Sequence, residues 1–372
     1  MNPFRPGSGI LPPLLSGRES ETATLEARVA RTRAGHPQHT ALLGEWAIGK
    51  TTLLMHWRRR LEAAGDRAVL TMAYPQSKDD FFGALTSAIA AETRDNWTSD
   101  VDFEVGLDVG VAAARMRKQV REVEKELGTA LRRATREGDG HTLIVMVDDI
   151  DLLAAPGDAL LHLRAAGLEL YAADVAVAFV VAASPGLFGA IHGAHEPLVR
   201  YFEPLVLGPL TPAASTEAIR KPLGETDVDF EDEVVAEIVD LSGGRPYYLQ
   251  KLAYYAFDAA IGTSVGPVEF GGAFERAFAS VSQEVFAARW AAMSPVDREV
   301  VGVLARQYDP RPSGDVEAEV ARRGIRPGAT RQSLRRLTSR GHIDRLANGH
   351  RGRYVIRDRL FKHFLELQGS EG

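Results

Sequence analysis

The sequence predicts a parallel α/β sheet carrying a phosphate-binding loop, then a small helical domain and a basic C-terminal module of three helices and a hairpin. Three observations predict it. The run "LLGEWAIGKTTLLMHW", residues 42–57, fits the pattern Gly44-x4-Gly49-Lys50-Thr51 without a mismatch. Short continuous apolar runs alternate with amphipathic helical periods through the first half of the chain, as in a parallel sheet covered on both faces. After "LVLGPLTPAAS" (205–215) strand signals fade, and helical patterns punctuated by Gly and Pro take over.

At 372 residues the chain suggests two or three domains. The boundaries expected are 1–208 for the α/β domain, 209–290 for the helical domain and 291–372 for the C-terminal module. The composition, 45% hydrophobic and 25% charged, is that of a soluble globular protein. No apolar run approaches the ~18 residues of a membrane span, and "MNPFRPGSGI" lacks the layout of a secretory signal. A cytoplasmic protein without membrane contact is expected. The absence of cysteine excludes disulfides, thiol catalysis and Cys-ligated metals.

"TALLG" (40–44), "RAVLTMAY" (67–74), "HTLIVMVDD" (141–149) and "VAVAFVVAAS" (175–184) read as buried strands. Leu53, Leu54, Trp57 and Leu61 share a helical face after the first, and Phe81, Phe82, Leu85 and Ile89 after the second. "VDFEVGLDVGV" (101–111) alternates with period two, predicting a half-exposed strand or hairpin inserted into the domain. It is either a solvated insertion or a partner surface. Residues 115–137 read as a long charged helix. Further on, helices are predicted at 213–222 and 231–241, and again after Gly243, Gly244 and Pro246. Ser294 followed by Pro295 marks a helix N-cap with proline at the first helical position.

The glycine-rich run implies chemistry as well as fold. Backbone N–H groups of Gly44, Glu45, Trp46, Ala47, Ile48, Gly49, Lys50, Thr51 and Thr52 are placed to curl around phosphates at a helix N-terminus, where the helix dipole favours an anion. Gly44 and Gly49 permit the turn, Lys50 reaches the β- and γ-phosphates, and the Thr51 hydroxyl ligates Mg²⁺. The strand "LIVMVDDID" ends in Asp148 and Asp149. A phosphate-loop enzyme needs one carboxylate there to hold Mg²⁺ and another to orient water. Asp148 suits the metal and Asp149 the water. ATP or ADP with Mg²⁺ is thus the expected ligand.

In this order, "LLSGRESE" (14–21), the phosphate loop, "VMVDDID", "VVAASPG" (180–186) and "LSGGRPYYLQ" (241–250) resemble AAA+ and STAND-type ATPases. The branch resembled most is that of the archaeal and eukaryotic replication initiators, over nearly the whole chain. The resemblance implies a P-loop NTPase sheet of order 5-1-4-3-2 with the nucleotide held between it and a helical lid. Gly17, Arg18 and Glu19 match the N-terminal box near the adenine. Ser184 takes the sensor-1 position, facing the γ-phosphate or water. Arg200 stands roughly where an arginine finger acts on a neighbouring subunit's nucleotide, or else is a surface arginine before a strand. Two departures matter. Many AAA+ proteins end the acidic strand in Asp-Glu, whereas Asp148-Asp149 is the STAND form, one methylene shorter; a misplacement of about 1 Å can cost roughly 10²-fold in rate. "GGRP" resembles the STAND Gly-x-Pro element, in which Pro246 touches the base, with Arg245 a candidate for the sensor-2 role. Both favour a slow switch over a fast motor.

The net charge of −6 conceals a basic end: residues 322–363 hold thirteen Arg or Lys against Asp344 and Asp358, a local +11 that leaves about −17 for the rest. "SPVDREVVGVLARQ", "GDVEAEVARRG" and "GATRQSLRRLTSRGHIDRL" give three helical patterns, and "GHIDRLANGHRGRYVIRD" alternates around a Gly-rich turn. The set resembles a winged helix. Leu334 and Leu337 face inward while Arg331, Arg335 and Arg336 face outward, as a major-groove helix requires. Arg340 extends that face, and Arg351 and Arg353 lie on the wing, suited to phosphates. The partner implied is double-stranded DNA. The alternative is a regulatory STAND protein whose basic module packs on protein, since 37 of the 44 cations are Arg throughout this chain. A protein partner or homo-oligomer in the ATP state fits either. A metabolic P-loop kinase has no use for the lid and winged helix.

Overall fold

The computed structural model describes residues 1–7, 10–12, 14–73, 78–92, 127–135, 142–191, 196–346 and 352–370. They form two compact units: Glu19–Gly44 with Lys50–Leu207, and Met1–Arg18 with Glu45–Gly49 and Gly208–Gly372.

The first unit is the α/β sheet. It opens with α1 (Glu19–Arg33), β1 (His39–Gly44), α2 (Lys50–Ala63), β2 (Arg67–Met72) and α3 (Lys78–Glu92). Residues 127–135 are helical (α4). Then come β3 (Leu143–Asp148), a 3₁₀ turn (Ile150–Leu152), α5 (Pro156–Tyr171), β4 (Val177–Ala183), α6 (Leu187–Ile191), α7 (Glu196–Tyr201) and β5 (Phe202–Leu207). All five strands pair in parallel, in the order β2-β3-β4-β1-β5. This is the order that the resemblance implied.

The apolar runs explain it. β1, β3 and β4 are buried along their whole lengths, because helices cover both faces and alternate side chains need no polar side. Ala41, Leu43, Val145, Val147, Phe179 and Val181 meet Phe81, Phe82, Leu85, Ile89, Leu160 and Leu163 in one core. Leu53, Leu54, Trp57 and Leu61 bury the predicted face of α2, and the sequence periodicity is thereby accounted for. Each such side chain contributes about 1.5–3 kcal/mol. The segment 101–111 lies outside the described residues, as do 115–126 and 136–137 of the expected charged helix.

The second unit contains α8 (Pro212–Leu223), β6 (Asp229–Phe230), α9 (Asp232–Ser242), α10 (Pro246–Asp258), β7 (Ser264–Val265) and α11 (Pro267–Val281). A π-helical turn (Ser282–Phe286) leads to α12 (Ala287–Ala291). After it come α13 (Pro295–Ala305), β8 (Arg311–Pro312), α14 (Ser313–Ala321), α15 (Pro327–Ser339), β9 (Asp344–Leu346), β10 (Arg353–Val355) and α16 (Arg359–Ser370). Ser294 caps α13 through a reciprocal pair with Asp297, with Pro295 in the first turn. One continuous core runs from Phe4, Ile219 and Leu252 to Val300, Leu334, Leu337 and Phe361. β8, β10 and β9 form a small antiparallel sheet. The sequence reading did not anticipate α16, although Leu360, Phe361, Phe364 and Leu365 bury one helical face. Among the described residues no helix is long and apolar enough to cross a membrane.

Candidate functional site: a phosphate loop and an acidic strand end

The carboxyl ends of neighbouring strands β1, β4 and β3 bring Gly44, Ser184 and Asp148 to one edge of the sheet, where ligands of open parallel sheets bind. Lys50 opens α2 and returns its ammonium to the strand it follows, Nζ donating to the Gly44 carbonyl at 2.9 Å. Thr51 and Thr52 are half-buried in the same first turn. That turn leaves backbone N–H groups without intrahelical acceptors.

At the end of β3, Asp148 is wholly buried. Its Oδ1 accepts the Asp149 backbone N–H at 3.0 Å, and its Oδ2 has no hydrogen-bond partner among the described residues. A buried carboxylate oxygen left unpaired costs several kcal/mol of solvation, so the strand end suits a cation. Asp149 takes the left-handed conformation, φ 52° and ψ 38°, at a cost on the order of 1 kcal/mol. Burial first, then the charges of Asp148 and Asp151, raise its carboxyl above the usual range, and Lys50 opposes them. Asp151, which the sequence reading missed, accepts the Ser184 backbone N–H on Oδ2 at 3.0 Å. It fixes the end of β4 next to Asp149.

Residues 45–49, the crest of the loop, belong to the second unit. Ala47 and Gly49 have φ of 66° and 92°, the left-handed backbone that also occurs in anion nests. Ile48 is buried and its carbonyl accepts Arg18 Nη2 at 3.0 Å; the same nitrogen donates to the Gly208 carbonyl at 2.8 Å. Gly17, at φ +67°, has no room for a side chain: a Cβ would stand 2.5 Å from that of Ala214. Pro246 begins α10, and Tyr247 N–H donates to the Ala47 carbonyl at 3.5 Å. Arg245 is committed to the crest, pairing with Glu45 and donating to the Trp46 carbonyl at 3.1 Å. Half-exposed Trp46 lies edge-on to Tyr247, ring centroids 5.2 Å apart. Only the resemblance pointed to Arg245, and nothing in the sequence pointed to its acidic partners.

Arg200 lies exposed on α7, beside Arg164, Pro197 and Tyr201 around a cleft of about 350 Å³. Among the C-terminal arginines, Arg335, Arg340 and Arg353 are exposed and make no ion pair with a described residue. Arg331 pairs with Glu317 at 3.0 Å. Arg351 lies outside the described residues. Arg336, expected on the outward face, instead turns to α13: its guanidinium contacts Asp297 at 2.7 and 3.0 Å and Ser294 Oγ at 3.1 Å. The reason is Asp297, only 1% exposed, whose buried charge needs a cation. Burial would raise that carboxyl, but hydrogen bonds from Arg336, Ser333 and Ser294 bring it down to about 2.

Comparison with known proteins agrees with this geometry. Residues 14–177 match the family described as AAA ATPase domain. The fold is similar to the Walker-type ATPase of Pyrococcus abyssi, with TM-score 0.65, 16% identity and coverage of 95% of this chain and 96% of that one. It is also similar to the ORC2 protein of Aeropyrum pernix in its ADP form (TM-score 0.59, 15% identity, 98% and 96% covered). The ORC1 protein of the same organism, solved in complex with DNA, gives a TM-score of 0.53 at 17% identity, with 96% and 94% covered. No curated protein sequence matches. Residues 14–177 are therefore similar to an AAA ATPase domain, and the chain shares its fold with the Walker-type ATPase of Pyrococcus abyssi and the ORC1 and ORC2 proteins of Aeropyrum pernix.

Proposed function

We propose that the protein is an ATP-binding, slowly hydrolysing molecular switch that acts on duplex DNA through its C-terminal module. The observation that carries the nucleotide half is the buried Oδ2 of Asp148, without a hydrogen-bond partner among the described residues, at a strand end of the unit that also holds Gly44 and Lys50. Asp148 and the Thr51 hydroxyl would hold Mg²⁺, which when bound neutralises phosphate charge. Lys50 and the N–H groups of residues 44–52 bind the phosphates. Asp149, with its raised carboxyl, orients water, and Ser184 faces the same edge. Gly17, Arg18 and Pro246 are assigned to the base on the resemblance. Arg200 is assigned to a neighbouring subunit's nucleotide, so turnover should rise with protein concentration as subunits meet.

We read the C-terminal part from 291 onward as a winged helix, with 209–290 as the lid. The order α13-β8-α14-α15-β9-β10 and its antiparallel sheet support this reading. DNA contact then falls to Arg335, Arg340 and Arg353, with Arg331 and Arg351 nearby. A specific observation favours a second reading, a regulator whose basic module meets protein. Arg323, Arg331, Arg336, Arg357 and Arg359 are already paired with Glu299, Glu317, Asp297, Asp344 and Asp240. The two readings separate in a fluorescence anisotropy titration of duplex DNA at several salt concentrations with ATP present. DNA binding gives a slope of log K against log[salt] of about −0.9 per phosphate contacted. Absence of salt-dependent binding by the full chain rejects it and leaves the protein-contact reading.

A further inference from the structure

Below the loop crest the second unit holds a buried chain of alternating charges. Glu45 meets Arg245 on one side. On the other, Arg245 Nε faces Asp358 Oδ2 at 3.9 Å, across the start of α16. The same Oδ2 accepts the Tyr248 hydroxyl at 2.9 Å and Arg289 Nη1 at 3.3 Å. Asp358 Oδ1 accepts the Phe361 N–H at 3.0 Å, capping α16. The side chain of Arg245 is 12% exposed and that of Asp358 6%, so water screens this pair little, whereas Glu45, 34% exposed, meets solvent. Asp344 also lies within electrostatic reach of Arg245 and Glu45. Arg245 also stands at the N-cap of α10, whose Tyr247 N–H reaches the Ala47 carbonyl.

We infer that Asp358 is a positioning residue for the nucleotide: acting through Arg245, it sets the shape of the phosphate-loop crest. Arg245 grips Glu45 and the Trp46 carbonyl, and a flexible guanidinium holds one orientation only while charges bracket it. Neutralising Asp358 removes the carboxylate shared by Arg245 and Arg289 and leaves Arg245 with Glu45 and the more distant Asp344. Arg245 then reorients, and the crest N–H groups lose the alignment an anion needs. By linkage, nucleotide binding acts back on α16 by the same factor that Asp358 contributes to nucleotide affinity.

The inference rests on the nucleotide-binding reading, and the experiment separates the two. ADP and Mg-ATP affinities of the full chain are measured by calorimetry for wild type, Asp358→Asn, Asp358→Glu, Glu45→Gln and the double variant Glu45→Gln/Asp358→Asn. Circular dichroism verifies folding. Asp358→Asn is expected to weaken nucleotide about tenfold, within the roughly 2- to 30-fold range of such couplings. Asp358→Glu should restore most of that loss. The double variant should lose clearly less than the product of the two single losses, because both act through one guanidinium. The KM for ATP should rise while kcat changes little, which general destabilisation would not produce. Folded Asp358→Asn binding within twofold of wild type overturns the inference and leaves the nucleotide reading intact. Absence of nucleotide binding by the wild type overturns both. Should Asp358→Asn fail to fold, Glu45→Gln alone decides, wild-type affinity in that variant again overturning the inference.

Discussion

The end of β3 and the interface of α13 with α15 treat buried carboxylates in opposite ways. Asp148 keeps one oxygen without a hydrogen-bond partner among the described residues and is followed by a left-handed Asp149. Asp297 is equally buried yet surrounded by Arg336, Ser333 and Ser294. The difference separates binding from architecture. A folded chain leaves a buried charge unsatisfied where a ligand completes it, and saturates it where the charge only holds helices together. By that criterion Arg336 belongs to the scaffold, and Arg335, one residue earlier, to the surface.

The largest effect expected is at the loop. Lys50→Ala removes the cation proposed to meet the phosphates, and ATP affinity should fall by at least ~10³-fold while the circular dichroism spectrum is retained. Unchanged affinity would retire the phosphate assignment. Next is Asp149→Asn, which should bind Mg-ATP normally and lose turnover by ~10²-fold or more, trapping the ATP state. Normal hydrolysis in that variant would move the water-orienting role elsewhere.

The scaffold side of the comparison is sharpened by a neighbouring pair. Arg336→Ala strands the buried Asp297 charge and should lower unfolding stability by about 3 kcal/mol. Arg335→Ala should stay within about 0.5 kcal/mol but weaken DNA binding; equal stabilities in denaturant melts would contradict the assignment. Acid gives the smallest effect. The folded Asp297 carboxyl, at about 2, lies below its ordinary value of 3.8, so its stabilisation is present above that value. It is lost as pH falls from about 4 to 2, a contribution of about 2 kcal/mol. Stability measured across that window should drop more steeply in wild type than in Arg336→Ala.

The sheet was legible in the sequence because β1, β3 and β4 are buried on both faces and read as unbroken apolar runs. The loop was legible because few residue patterns can wrap a phosphate. What escaped were contacts between distant positions. Asp151 under Ser184 looks like any polar turn residue, and Asp358 like one acid in a basic tail. Arg336 lies on the helical arc that also carries exposed Arg335 and Arg340, and no periodicity reveals that Asp297 draws it inward. α16 is hard to read because Arg359, Lys362 and His363 interrupt its apolar stripe of Leu360, Phe361, Phe364 and Leu365 at the end of a basic stretch.

Calorimetric titration of ATP with and without Mg²⁺, in wild type and Asp148→Asn, tests most directly whether the unsatisfied oxygen of Asp148 holds a metal ion. Asn keeps the shape and removes the charge. Mg²⁺ should tighten ATP binding by wild type at least tenfold and leave the folded Asp148→Asn protein nearly unaffected. An equal Mg²⁺ effect in both proteins, or none in wild type, would contradict the assignment of this strand end to a metal–nucleotide site.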